Sequence, residues 1–242
     1  MDNEKRRLHV LDEKVRIGKL SQIREFVFGA QDGLLVPLGV VTSVAGAFSN
    51  NHIVIVAGIS EALAGAFSMA TGAYLSSQAE KQVHDAEIKK EIKEIKDNLP
   101  YEKEEMSILF EKEGVVREDA LKLTEILSKH NNSFTITMIQ KELGLDPEPA
   151  GSAIRDAVFV GASYLFAAFI PLLPYFFIKG IAAIIFSVTA TLLALFFIGI
   201  LKGKLALLPY IKSGLQVLMI GFVSGVGGYI IGTILPKLLK LE

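Results

Sequence analysis

Two carboxylates stand where carboxylates are expensive. Asp32 is the only charge between Phe26 and Ser49, and Glu61 is the only charge between Ile53 and Ser77. Each stretch is apolar and long enough to cross a bilayer, where an ionised acid costs at least about 2.5 kcal/mol. No lysine or arginine lies within residues 26–79 to neutralise them, so a cation or a proton must do so. Around Glu61, positions 65, 68, 69 and 72 (Gly65, Ser68, Met69 and Gly72) follow at helical spacing. One helix face therefore offers a carboxylate, a hydroxyl and a thioether, with small residues between them. Oxygen plus thioether suits a borderline divalent transition metal better than Mg2+ or Ca2+. On the first stretch, Pro37 has no N–H for the carbonyl of Gly33, which leaves an acceptor beside Asp32. The competing reading keeps both acids protonated and bonded across helices, with Met69 as packing.

A second group of candidate ligands lies in the polar middle of the chain. Glu87, Glu91 and Glu94 share one helix face; Glu102 and Glu105 share another; Met138 and Glu142, four apart, share a third. If those helices pack together, carboxylates and a thioether converge, and a bound divalent ion relieves their repulsion. Solvated glutamate-rich helices are common, so this pattern alone is a weak signal. A ferritin-like di-iron centre would add Glu-x-x-His pairs. Here the residues three before His84 and His130 are Lys81 and Leu127, which favours metal binding over oxidation. No phosphate-binding loop, dinucleotide fingerprint or nucleophile–base set is present, and nothing points to an enzyme.

The elements that must position these residues follow from the hydropathy. Of 242 residues 51% are hydrophobic, yet 21% are charged, so the charges must be segregated. Residues 80–148 carry seventeen acidic and eleven basic groups, whereas residues 26–79 carry two acids and no base. Five apolar runs are near the roughly 20 residues that span the hydrocarbon core: 26–49, 53–77, 157–178, 180–201 and 213–236. In lipid, backbone groups must be satisfied internally, so runs of this length are helices. The expected fold is all-α: a cytoplasmic N-terminal segment (1–25), two membrane helices (26–79), an acidic helical domain (80–148) and three more membrane helices (149–242).

Within the acidic block, helices are expected from Gln78 to Asp97, Tyr101 to Glu113, Arg117 to Lys129 and Ser133 to Leu143, with Asn131-Asn132 closing the third. Lys14, Arg16, Lys19 and Arg24 before the first span, and Lys202, Lys204 and Lys212 before the fifth, put those segments and the acidic block in the cytoplasm. Lys237 and Lys240 then fall outside, a mild violation that five crossings force. Cysteine is absent, which excludes thiolate metal sites and disulfides. The charged N-terminal stretch has no signal-peptide pattern. Basic groups are too dilute for a nucleic-acid surface. Gly29, Gly33, Gly39, Gly46, Gly58, Gly65 and Gly72, with the pairs Gly221/Gly225 and Gly228/Gly232, mark close helix contacts.

The run Arg-Glu-Phe-Val-Phe-Gly-Ala-Gln-Asp-Gly-Leu (24–34) and the run Ala-Gly-Ile-Ser-Glu-Ala-Leu-Ala-Gly-Ala-Phe-Ser-Met (57–69) resemble the vacuolar iron transporter family. Glu-Leu-Gly-Leu (142–145) and Pro-Leu-Leu-Pro-Tyr (171–175) also fit it, and the resemblance extends over nearly the whole chain from Arg24. It implies five membrane helices per subunit, a homodimer, and proton-coupled movement of Fe2+ out of the cytoplasm. Asp32, Glu61 and Met69 correspond to the pathway residues. The cytoplasmic metal-binding glutamates correspond to Glu91, Glu94, Glu102, Glu105 and Glu142, with Met138 as the thioether. Relatives can carry a second methionine where this chain has Ile139.

The expected mechanism is capture of Fe2+ by the cytoplasmic glutamates, passage to Asp32, Met69 and Glu61, and release by protons from the far side. Mn2+ is an alternative cargo, Zn2+ a bound surrogate, and no organic cofactor is implied. The membrane is the cell membrane in a prokaryote or a vacuole-like one otherwise. Two other readings stay open: an uncoupled metal channel or facilitator, and a membrane-anchored iron-binding or ferroxidase protein.

Overall fold

The computed structural model describes residues 2–48, 50–146 and 152–239, with side chains from Ile23 onward except at 235 and 239. Among the described residues every regular element is a helix: α1 (Asp2–Ala47), α2 (Asn51–Asp97), α3 (Leu99–Lys112), α4 (Arg117–Ser128), α5 (Asn131–Glu142), α6 (Ala153–Leu172), α7 (Pro174–Phe177), α8 (Ile181–Leu205) and α9 (Tyr210–Leu239). Five stretches are long and apolar enough to cross a membrane: 23–47 of α1, the apolar half of α2, α6 with α7, α8 and α9. The chain is an integral membrane protein. It divides into two compact units, one formed by Met1–Leu75 with Ser152–Glu242 and the other by Ser76–Gly151.

In the apolar unit α1 is the central helix, packed on α6, α8 and α9. Ala30 and Leu34 of α1 meet Ala167 of α6, Leu195 of α8 and Val217 of α9 in one buried cluster. Val41 meets Val54 of α2, Leu172, Tyr175 and Ala183 in a second. Small residues let the helices approach, which matters in lipid because burial of apolar surface adds little driving force there. A Cβ on Gly33 would fall 2.3 Å from the carbonyl oxygen of Tyr164, and one on Gly232 would fall 1.8 Å from that of Ser43. Gly72 differs: among the described residues nothing approaches its missing Cβ within 4 Å.

Buried hydroxyls answer backbone carbonyls. Ser224 of α9 donates to Leu35 O at 2.9 Å, and Ser187 of α8 donates to Pro171 O at 2.6 Å. Pro174 lacks the N–H that would continue α6, so the hydrogen-bond ladder is interrupted there while the backbone stays helical through Leu173 into α7. The Asn51 amide then donates to Tyr175 O at 2.8 Å and Ile178 O at 2.6 Å, satisfying carbonyls at the end of that turn.

The acidic unit holds its own small core. Met106 and Phe110 of α3, Ala120 of α4, and Phe134 and Met138 of α5 pack together, with Ile95 of α2 against them. Gly114 and Gly144 adopt φ of +96° and +65°, the left-handed conformation that glycine takes without steric cost, and close α3 and α5. Helix boundaries here shift from expectation by one or two residues, as at Leu99, which already opens α3, and one shift reverses a role. Asn131 and Asn132 open α5 rather than close α4, which already ends at Ser128. Asparagine favours either end of a helix, and no glycine or proline near His130 distinguishes the two in the sequence.

Candidate metal sites

In the apolar unit, α2 presents Glu61 towards α6. The hydroxyl of Tyr164 donates to Glu61 Oε1. The other carboxylate oxygen, Oε2, is buried and has no hydrogen-bond partner among the described residues. Tyr164 itself is only 1% exposed and lies in a cluster with Ala62, Ala66 and Ala168, against which Met69 packs. Asp32, half-buried on α1, immediately precedes Gly33, whose missing Cβ faces the backbone of Tyr164. The fold thus gathers the two acids and the thioether about one phenol. A cation fits the chemistry of this set: two carboxylates and a polarisable sulfur, one oxygen unpartnered, and no basic side chain in the stretches that carry them.

Tyr164 is the residue that sequence reasoning missed. Its signal was faint, one of two phenols in an uncharged run, and aromatic residues are ordinary in such runs. What makes it special is the pairing across 103 positions.

In the acidic unit, carboxylate oxygens of Glu91, Glu102 and Glu142 all lie within 4.8 Å of one another. They come from α2, α3 and α5, whose Ile95, Met106, Phe110 and Met138 pack in one apolar cluster. Glu91 is 2% exposed and Glu102 4%, while Glu142 lies at the surface. Glu91 Oε1 is buried without a partner. Burial, with the charges of Glu142, Glu102 and Glu94, pushes the Glu91 carboxyl up to about 7. Burial and the charges of Glu105, Glu142 and Glu94 raise Glu102. Glu142 is raised by burial and Glu105, offset in part by its hydrogen bond with Glu91 and by Lys90.

Five of the expected ligands therefore act on one another electrostatically: Glu91, Glu94, Glu102, Glu105 and Glu142. Glu87 is exposed and is not among the three whose oxygens converge. Met138 is fully buried in the apolar cluster, one turn before Glu142 on α5, and Ile139 beside it is 2% exposed. Glu94 is exposed and pairs with Lys90 at 3.7 Å. A raised, buried carboxyl in a cluster whose acids outnumber the one nearby base, Lys90, is the state that a divalent ion relieves.

Residues 23–233 match the family described as the VIT family. The chain belongs to the VIT family. It is 31% identical over 208 residues to Vacuolar iron transporter 1 of Arabidopsis thaliana, covering 86% of this chain and 83% of that protein. With Vacuolar iron transporter 2 of Oryza sativa subsp. japonica it shares 31% over 235 residues, 94% of each chain. With Protein CCC1 of Saccharomyces cerevisiae it shares 28% over 211 residues, 84% of this chain and 65% of that one. The Arabidopsis thaliana and Oryza sativa relatives are named as vacuolar iron transporters, and the VIT family is one of transporters rather than enzymes.

Proposed function

We propose that this VIT-family chain exports Fe2+ from the cytoplasm in exchange for protons, with Mn2+ as an alternative cargo. The observation that carries the reading is the Glu61 carboxylate: one oxygen held by Tyr164, the other buried without a partner, in a helix otherwise apolar to Ser77. A buried anion at such a position has to be neutralised. Two acids, Asp32 and Glu61, match the charge of one divalent ion. The same two groups can instead take protons, so ion and proton compete for one pair of carboxylates. That competition is the physical basis of exchange. Met69 adds a sulfur that a softer ion uses and Ca2+ does not.

The acidic unit collects the ion. Glu91, Glu102 and Glu142 supply converging oxygens, Glu94 and Glu105 deepen the negative field, and Met138 is the thioether on the α5 side. The excess of lysine and arginine before the first and fifth spans supports a cytoplasmic N-terminus and a cytoplasmic acidic unit with five crossings. The protein works as a homodimer. The exposed apolar side chains of α2, among them Val56, Leu63 and Phe67, support a surface covered by lipid or a second copy, as does the open space at Gly72. Relatives named for vacuolar iron transport support iron as cargo.

Anaerobic 55Fe2+ uptake into proteoliposomes tests the pathway. Asp32→Ala and Glu61→Gln are expected to abolish uptake in protein that remains folded in detergent. Wild-type uptake by both variants would remove Asp32 and Glu61 from the pathway.

A further inference from the structure

Tyr164 of α6 is set in place by two neighbouring helices, α1 and α2. Its backbone lies against Gly33 of α1, the residue after Asp32, where a Cβ would come within 2.3 Å of its carbonyl oxygen and 2.8 Å of its Cα. Its ring rests on Gly65 of α2, where a Cβ would fall 2.3 Å from the hydroxyl oxygen and 2.5 Å from Cζ. Glu61 sits one turn earlier on that helix and receives the hydroxyl hydrogen bond at Oε1. Neither the ring nor the hydroxyl has room to swing away, because Tyr164 is 1% exposed and packed among Ala62, Ala66 and Ala168.

A carboxylate binds a cation through one oxygen or through both. Two-oxygen binding is a habit of Ca2+, which collects six to eight oxygens. Softer first-row ions accept fewer oxygens together with a thioether. With Oε1 engaged by a fixed phenol, Glu61 has one unengaged oxygen, and that oxygen is the buried, unpartnered Oε2.

We infer that Tyr164, seated on Gly65, is a positioning residue for ion selection: it holds Glu61 to single-oxygen coordination and so disfavours Ca2+ relative to Fe2+ and Mn2+. The inference rests on the reading of Glu61 as a pathway ligand. Tyr164 does not touch the ion in this account; it acts through Glu61.

The test uses the full-length protein in proteoliposomes, with anaerobic 55Fe2+ uptake measured against rising external Ca2+ or Mg2+. In Tyr164→Phe, which removes only the hydroxyl, the Ca2+ concentration that halves Fe2+ uptake is expected to fall about tenfold, a change of about 1.4 kcal/mol. Mg2+, which keeps its waters and its octahedral shell, is expected to stay a poor competitor. Gly65→Ala keeps the hydroxyl but displaces the ring, and it is expected to move the Ca2+ curve the same way. A residue that mattered only for folding would lower the maximal rate and leave the Ca2+ curve in place. An unchanged Ca2+ curve in both variants, with Glu61→Gln inactive, overturns the role of Tyr164 alone. Normal uptake by Glu61→Gln overturns the pathway reading beneath it.

Discussion

Tyr164 of α6 donates its hydroxyl hydrogen to Oε1 of Glu61, the only charge in the apolar half of α2, and leaves Oε2 buried and unpartnered. This bond joins the helix that carries Glu61 to the helix packed tightest on Asp32's own element. The neighbouring glycines are therefore part of the site. Alanine at Gly33 would put a methyl group 2.3 Å from a backbone oxygen that cannot move independently of α6. Gly33→Ala is expected to cost about 1–3 kcal/mol through helix displacement and to lower transport, read by thermal denaturation in detergent and by flux. Gly72→Ala, with open space at the site, is the contrasting variant: a monomer's stability should stay level or rise.

The acidic cluster makes a prediction about protons. Glu91 is raised to about 7 in the folded protein. A divalent ion that ligates Glu91 must displace its proton below that pH. Calorimetry of Co2+ binding to the full-length protein in buffers of different ionisation heat is expected to show release of nearly one proton at pH 6 and little at pH 8. Between pH 7.5 and 5.5 the affinity should weaken by roughly 20- to 30-fold, following the loss of ionised Glu91. In Glu91→Gln both the proton release and this part of the pH dependence should vanish.

Metal-free stability should run the opposite way. The Glu91 carboxyl is raised from an ordinary value of 4.5, so the folded state holds a proton that the unfolded chain gives up. That contribution is complete below about pH 4.5 and is lost as pH rises through 7. The chelated protein is therefore expected to melt at a lower temperature at pH 8 than at pH 6. Glu91→Gln should flatten the profile and raise stability at pH 8. A wild-type profile that rises with pH over this window contradicts the cluster's electrostatics.

Met138 separates packing from ligation. It is fully buried beside Phe110 and Phe134, and leucine has nearly the same volume. Met138→Leu should cost less than about 1.5 kcal/mol. As a thioether ligand its loss should weaken Co2+ and Fe2+ binding several-fold while leaving Mg2+ binding level. Affinity unchanged from wild type for all three ions would leave Met138 as core alone.

The all-helical character was legible because apolar runs of this length admit no other backbone in lipid. Asp32 and Glu61 stood out for the same reason, as lone charges in such runs. The phenol on Glu61 did not, because helix pairing across more than a hundred positions leaves no local mark. The convergence of Glu91, Glu102 and Glu142 depends on how three helices pack, whereas any one of those helices reads as an ordinary solvated face. Helix ends marked by glycine, at Gly114 and Gly144, were readable; the start of α5 at Asn131 was not, since asparagine serves both ends.

The most direct test of the account is Fe2+ flux through purified protein in proteoliposomes with and without an imposed pH gradient. Exchange on Asp32 and Glu61 predicts Fe2+ uptake driven against its own concentration difference by protons moving out, and intravesicular alkalinisation that tracks the uptake. Fe2+ flux that is indifferent to the gradient and carries no proton signal would contradict exchange and make the protein an uncoupled facilitator.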